Sequence, residues 1–365
     1  MKTGIQLIFQ NAHPGMPDEE MVRNEVKIAE LCEPLGLDTI WCVEHHFDDY
    51  SMCPDNTQLF AYLAGRTSTI RLGTAAVILP WNDPLRVAEK MIMLDHLSNG
   101  RAVFGMGRGL ARMEYNGFRM DMNQARGRFN ESSKMILEAL ETGFIEGDGP
   151  YYKQPRTELR PRPSRSFKDR TYAVAMSPES APIAAERAAR MMIFVQFPIE
   201  QHMPGIEAFR RSWTEYHHTV APPVMTIDFL MCDRDAARAE ALARKHIAGY
   251  YLSVMQHYEF LGDHFSKLKG YEAYGNAAEI LRQTGQDAAC EAFFQNQHWG
   301  TPQQILDKLE KRREILGEFE LSICASYAGL PYKDVESSLR LFSQEVLPEV
   351  RNWGEESYEP NRARA

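Results

Sequence analysis

No apolar run in this chain is long enough to cross a bilayer, no two cysteines stand at Cys-x-x-Cys spacing, and no histidines fall in His-x-His or His-Glu-x-x-His spacing. These absences weigh against a membrane-spanning protein, a disulfide-stapled fold and a metal-dependent hydrolase, so no metal ligand is assigned. The cysteines stand alone at positions 32, 42, 53, 232, 290 and 324, a pattern that suits reduced thiols and a cytoplasmic location. Positive charge is in deficit: 41 Lys and Arg against 50 Asp and Glu give a formal net charge of −9, which disfavours nucleic acid and anionic membrane surfaces as partners. The opening Met-Lys-Thr-Gly-Ile-Gln-Leu-Ile-Phe-Gln is broken by Gln6 and has no small-residue cleavage site, so it reads as a strand.

What is present is a large stock of core residues, 44% hydrophobic in 365, enough for one α/β barrel. Apolar strands are expected at the N-terminus and at 38–43, 70–77, 101–106, 171–175, 191–195, 224–231 and 319–324. Helices separate them: one capped by Asp18 and stopped by Pro34 and Gly36, one near 56–66, and one capped by Asp83 that ends at Asn99-Gly100. Others are expected at about 126–142, from Pro178, at about 233–255, after a capping box at Thr301-Pro-Gln-Gln304, and at about 332–350. Eight doubly buried strands alternating with helices predict a parallel sheet closed into a (β/α)8 TIM barrel, a single domain over 1–365. An open doubly wound sheet is the rival. Residues 259–299 form a long insertion before the last strand, read either as a lid or as a surface insertion with helices of its own. The polar tail 354–365 is expected to fray.

Glu44-His45-His46 stands where the second strand runs out, the end at which barrels carry chemistry. Adjacent histidines on a strand end point to opposite faces, so at most one lines the mouth. Trp81, Tyr115, Phe194, Phe197 and Tyr251 are candidate walls of an apolar substrate pocket, though aromatics at element ends are commonly core. The run Gly105-Met-Gly-Arg-Gly109 resembles a dinucleotide loop, but Leu110 stands where the third glycine belongs. Ser177-Pro-Glu-Ser180 reads as a helix start, and the basic stretch 160–170 as a solvated loop or a steering patch for an anion.

Glu44-His-His-Phe47, Gly73-Thr-Ala-Ala-Val-Ile-Leu-Pro80, Leu94-Asp95, Arg108-Gly-Leu110 and Asp121-Met-Asn123 occur in the order of the luciferase α-chain pattern. Over nearly its whole length the chain therefore resembles the bacterial luciferase-like flavin-dependent monooxygenases. That resemblance implies a homodimer that uses FMN as FMNH2, supplied by a separate NAD(P)H:flavin reductase, and O2 through a flavin C4a-hydroperoxide to oxygenate an apolar small molecule. It assigns His45 to the reacting flavin and Arg108 to its phosphate, with Ser177 and Ser180 as a second phosphate contact and Met176 as a further cofactor-binding position. Ala75-Ala76 matches a non-proline cis peptide beside the ring, while Glu44 and His46 match supporting or subunit-contact residues. Asp83, Gly107 and Met176 replace a histidine, a cysteine and a glutamate of the luciferase α chain, so light emission is not implied. An F420-dependent hydride-transfer enzyme on the same fold and a non-catalytic flavin-binding protein are the alternatives.

Overall fold

The computed structural model describes residues 1–177 and 179–353. The helix start read at Pro178 and the tail 354–365 lie outside the described residues. Eight strands, β1 (Thr3–Leu7), β2 (Thr39–Cys42), β3 (Arg71–Thr74), β4 (Ala102–Gly107), β5 (Thr171–Val174), β6 (Arg190–Phe194), β7 (Val224–Cys232) and β8 (Phe319–Cys324), pair in parallel in that order. β8 then returns to β1, with Thr3 opposite Leu321. That closing pair makes the sheet a (β/α)8 barrel and removes the open-sheet alternative. All six cysteines are free thiols, and no described helix is long and apolar enough to cross a membrane.

Glycine on two strands makes room for one large interior side chain. A Cβ at Gly4 would lie 2.8 Å from the Trp41 indole nitrogen, and one at Gly73 would lie 2.4 Å from its ring. Trp41 then meets Tyr172 edge to face at 4.9 Å. Below them the Tyr172 hydroxyl donates to Glu320 at 2.7 Å, and Glu320 also takes Arg190 at 2.8 Å. The amino-terminal end of the barrel is thus filled by packed rings and an ion pair, which leaves the carboxyl-terminal end for a ligand.

The Gly105-x-Gly-x-Gly109 run has a packing explanation. Gly105 lies so close to β3 that a Cβ would fall 1.9 Å from the Thr74 carbonyl oxygen, and the Thr74 hydroxyl bonds both the Gly105 carbonyl and its N–H. Gly109, at φ +80°, tucks against Ile78 and Trp81. Gly105 and Gly109 thus admit neighbouring backbone and an indole.

The helix capped by Asp83 and the Thr301 capping box form as expected. Asp18 is the first helical residue, not the cap; Pro17 holds that place, and Asp18 accepts instead from the Asn11 amide. Sequence patterns missed the helices Arg112–Gly117 and Ile199–His217 and the hairpin Phe144–Asp148 with Lys153–Glu158. Pro204 and Gly205 break the pattern of the second helix in its early turns. Residues 259–299 contain a 3-10 turn at Phe265–Lys267 and two α-helices, Glu272–Thr284 and Gln286–Gln295, and run into a short strand, His298–Gly300, that pairs with the end of β7.

Two buried carboxylates have consequences for stability. Arg170 does not lie in a solvated basic loop: its guanidinium is paired with buried Asp95 and donates to the carbonyls of Ala102 and Ser166, both at 2.8 Å. Arg160 and Arg162 of the same stretch pair with Glu158. Arg170→Met strands the Asp95 charge and is expected to cost about 3–5 kcal/mol, read as a lower urea midpoint. Glu25, wholly buried, accepts from the hydroxyls of Ser326 and Tyr332, yet burial pushes its carboxyl up to about 7. Its folded value lies above the ordinary 4.5, so the folded state holds a proton that the unfolded chain releases. Stability is full below pH 4.5 and falls as pH rises through 7. Glu25→Gln keeps the acceptor and cannot ionise, so its melting temperature should exceed wild type at pH 8 but not at pH 4. The expected gain is on the order of 3 kcal/mol.

Candidate active site

A cavity opens at the carboxyl-terminal mouth of the barrel, walled by the exits of β2 to β6 and roofed by the helix Ala236–His257 with the insertion behind it. His45, Ala75, Ala76, Arg108, Met176, Ser177 and Ser180 all line it, although they come from four different strand exits. The peptide between Ala75 and Ala76 is cis, as the resemblance implied. The Asn56 side-chain amide holds the carbonyls of Cys42 and Ala76, each at 3.1 Å, and so ties the ends of β2 and β3 together.

One end of the cavity is cationic. The Arg108 guanidinium lies 3.9 Å over the Tyr271 ring and donates to the Gly270 carbonyl at 2.5 Å, so the insertion orients it. Arg126 stands beside it, donating to the Ser177 hydroxyl at 3.4 Å with Glu179 3.6 Å away at the rim. Burial, then the charge of Arg108, pushes the Arg126 guanidinium below its ordinary range. Ser180 accepts from the Ser177 N–H at 2.9 Å, which closes a small hydroxyl shelf between the cations. Two half-buried guanidiniums that repel one another become favourable when an anion sits between them, and the fork geometry suits phosphate oxygens. Arg126 was overlooked in the sequence. The available signal was a cation in the first turn of a helix, where the dipole prefers acids.

The other end is built for a proton. The His45 Nδ1 lies 2.9 Å from Glu114 Oε1, the His46 N–H donates to that same oxygen at 2.8 Å, and the Tyr258 hydroxyl is 3.4 Å from His45 Nε2. An ionised Glu114 assigns the Nδ1–H tautomer, which leaves Nε2 toward the cavity. Burial works to raise the Glu114 carboxyl; the charge and hydrogen bond of His45, with help from His257, outweigh it and hold the group below the usual carboxylate range. His45, Glu114 and His257 bring one ligand-type atom each to within 4.8 Å of one another. Glu114, His257 and Tyr258 could not be found from spacing, because they reach His45 only through folding.

His46 does not line the cavity, and Glu44, at its edge, is occupied in holding the chain. Buried Glu44 accepts from the N–H of Ile78 at 3.0 Å, the Trp81 indole at 2.7 Å and the Asn82 amide at 2.9 Å, pinning the exit of β3. His46 sits 3.3 Å from Glu44 and packs edge-on against Phe118 at 4.7 Å.

Of the five aromatic candidates only Phe194 lines the cavity. Trp81 is drawn off by Glu44 and stacks on Phe118, and buried Tyr115 lies beneath it with its hydroxyl on the Arg108 carbonyl. Tyr251 packs on Phe293 of the insertion at 4.9 Å. Phe197 is 41% exposed beyond the end of β6. These four are core or surface residues. The phenols that do wall the cavity are Tyr50, Tyr250, Tyr258 and Tyr274.

Residues 1–318 match the luciferase-like monooxygenase family. The alkanal monooxygenase alpha chain of Photorhabdus luminescens is 26% identical over 349 residues, which cover 94% of this chain and 96% of that one. Among solved structures, the oxygenating constituent of 3,6-diketocamphane monooxygenase from Pseudomonas putida, a type II Baeyer-Villiger monooxygenase in complex with FMN, aligns with a TM-score of 0.74 at 16% identity. The alignment covers 96% of this chain and 98% of that one. The coenzyme F420-dependent tetrahydromethanopterin reductase of Methanopyrus kandleri aligns with a TM-score of 0.66 at 20% identity, covering 95% and 99% of the two chains. At these identities both show a shared barrel, whereas the family match spans most of the chain: it belongs to the luciferase-like monooxygenases and is, by class, a flavin-dependent monooxygenase.

Proposed function

We propose that the enzyme binds reduced FMN with its phosphate between Arg108 and Arg126 and its ring toward Ala75-Ala76 and His45, and inserts one oxygen atom of O2 into an apolar small organic substrate. The observation that carries this reading is the polarity of a single cavity: two guanidiniums and two serine hydroxyls at one end, a carboxylate-anchored imidazole at the other. Reduced FMN, when bound, supplies the two electrons with which one oxygen atom goes to the substrate and the other leaves as water. The protein does the rest. Arg108, Arg126, Ser177 and Ser180 fix the phosphate, Met176 borders the ring, and Phe194, Ile227 and Val254 offer the substrate apolar walls. His45, oriented by Glu114, gives or takes a proton at Nε2.

The insertion serves as the lid: Tyr271 donates to the Gly109 carbonyl at 3.0 Å and Glu259 pairs with Arg112, so it closes over the exit of β4 and keeps water out. A separate NAD(P)H:flavin reductase supplies the FMNH2, in keeping with a glycine run that packs backbone instead of holding a dinucleotide. The protein works as a homodimer in the cytoplasm. Exposed Val22, Tyr62, Met93 and Leu97 on the first helices support the first point, and free thiols the second.

Mixing FMNH2-loaded protein with oxygenated buffer in a stopped-flow spectrometer tests the reading. A flavin absorbance transient that outlasts the autoxidation of free FMNH2 is expected. Anaerobic turnover with reduced F420 and no response to O2 would assign the hydride-transfer alternative instead, and flavin binding with neither reaction would leave a carrier.

A further inference from the structure

We infer that Glu114, His257 and Asp48 form a proton path between His45 in the cavity and solvent, with His257 as its buried link. This rests on the reading above only in supposing that His45 exchanges a proton with reacting groups. Three separate segments build the path. Glu114 Oε1 is 2.9 Å from His45 Nδ1 and 3.8 Å from His257 Nε2, and His257 Nδ1 is 2.9 Å from Asp48 Oδ2. The His257 side chain is wholly buried, whereas Asp48 is one-third exposed, so the chain of groups ends at water.

His257 is not placed as a satisfied core histidine would be. Its ring is clamped, stacked on Tyr50 at 4.3 Å and edge-on to His45 at 5.2 Å and Tyr258 at 4.9 Å. One nitrogen is bonded to Asp48; the other, buried, has no partner among the described residues and faces the Glu114 oxygen. At 3.8 Å that gap exceeds a hydrogen bond yet is too narrow for a water to bridge. A shift of about 1 Å closes it, so the link can be made and broken by small side-chain motion.

The groups facing His257 are His45, Asp48 and Tyr50 from the segment after β2, Glu114 from the helix Arg112–Gly117, and Tyr258 at the end of its own helix. Burial, then the charge of His45, pushes the His257 imidazole below its ordinary range, so it is neutral and able to accept. Burial pushes Tyr50, Tyr250 and Tyr258 well above the phenol range, so none of them holds a charge beside the path. Outward transfer proceeds in balance. As His45 Nε2 takes a proton from the cavity, Nδ1 releases one to Glu114 Oε1; Glu114 passes it to His257 Nε2; His257 Nδ1 gives one to Asp48, which yields it to water. No electrons move, total charge is conserved, and transfer in reverse resets both imidazole tautomers.

Nitrogen-15 NMR of the imidazoles in the full, cofactor-free chain tests the path across a pH series. In wild type, His257 should carry its proton on Nδ1. In Asp48→Asn that tautomer preference should be lost and the His45 titration midpoint should move, although Asp48 makes no hydrogen bond to His45. In stopped-flow mixing of FMNH2 and O2, Asp48→Asn should keep its FMN affinity yet slow the decay of the transient, with a larger solvent deuterium effect. His257→Gln should do the same and His257→Asn no better. Unmoved His45 titration and decay in Asp48→Asn would overturn the path even if His257→Gln fails to fold. Stoichiometric Zn2+ or Mn2+ binding abolished by Glu114→Gln would also overturn it, making the cluster a metal site. Failure of FMN to bind would sink the proposed function alone, because the NMR result is read without flavin.

Discussion

His45→Ala is expected to slow the proton-dependent step after O2 enters by roughly 10²–10⁴-fold, the span that a positioned general acid or base contributes, while FMN still binds as in wild type. Affinity and chemistry are expected to separate because Arg126 is joined to Ser177 whereas His45 is joined to Glu114, within one cavity. The measurement is decay of the flavin transient in stopped flow, paired with fluorescence titration by FMN. Wild-type kinetics in His45→Ala would remove the histidine from the reaction. Acid pH should imitate the substitution. Glu114 is held below the carboxylate range, so it stays charged through neutrality; as pH falls through its lowered pKa the carboxylate gains a proton and His45 loses its anchor. The rate should therefore fall on the acid side, and Glu114→Gln should abolish that limb.

Arg108→Ala and Arg126→Ala should each weaken FMN binding by roughly 10–150-fold, the loss of about 1.5–3 kcal/mol in hydrogen bonds to a charged group. Riboflavin, which has the same ring and no phosphate, should bind each variant as it binds wild type. This comparison separates a phosphate contact from general damage. Equal losses for both ligands would mean that the arginines only hold the fold. A second readout comes from the empty protein: removing one of two half-buried like charges relieves their repulsion, so cofactor-free Arg126→Ala should melt no lower than wild type at low salt. Arg108→Ala carries a small additional cost, since it also gives up the Gly270 carbonyl and the Tyr271 ring.

Much of the frame is readable locally. Strand burial on both faces, caps at Asp83 and Thr301, and the Asn99-Gly100 stop each act within a few residues, so the strand–helix alternation and the exits that carry Glu44, Ala75 and Arg108 follow from the chain alone. Aromatic residues were less legible. Trp81, Tyr115 and Tyr251 have the composition of pocket walls, but what a ring faces depends on which partner claims it: Glu44 takes the Trp81 N–H, the Arg108 carbonyl takes the Tyr115 hydroxyl, and Phe293 packs on the Tyr251 ring. The helix Ile199–His217 escaped for a related reason: its early Pro204 and Gly205 lower local propensity, and packing against the barrel overrides them.

By itself the sequence determined the alternation and the histidine at the end of β2, since these depend on periodicity and on neighbours close along the chain; closure of the sheet through the β8–β1 pair was decided in three dimensions. Only the tertiary structure decided which groups act on that histidine. Glu114 lies 69 residues away from it and Tyr258 lies 213, and Arg126 meets Ser177 across 51. Contacts of that separation leave no periodic trace, because their distances are set when the barrel closes and brings the strand exits to one mouth.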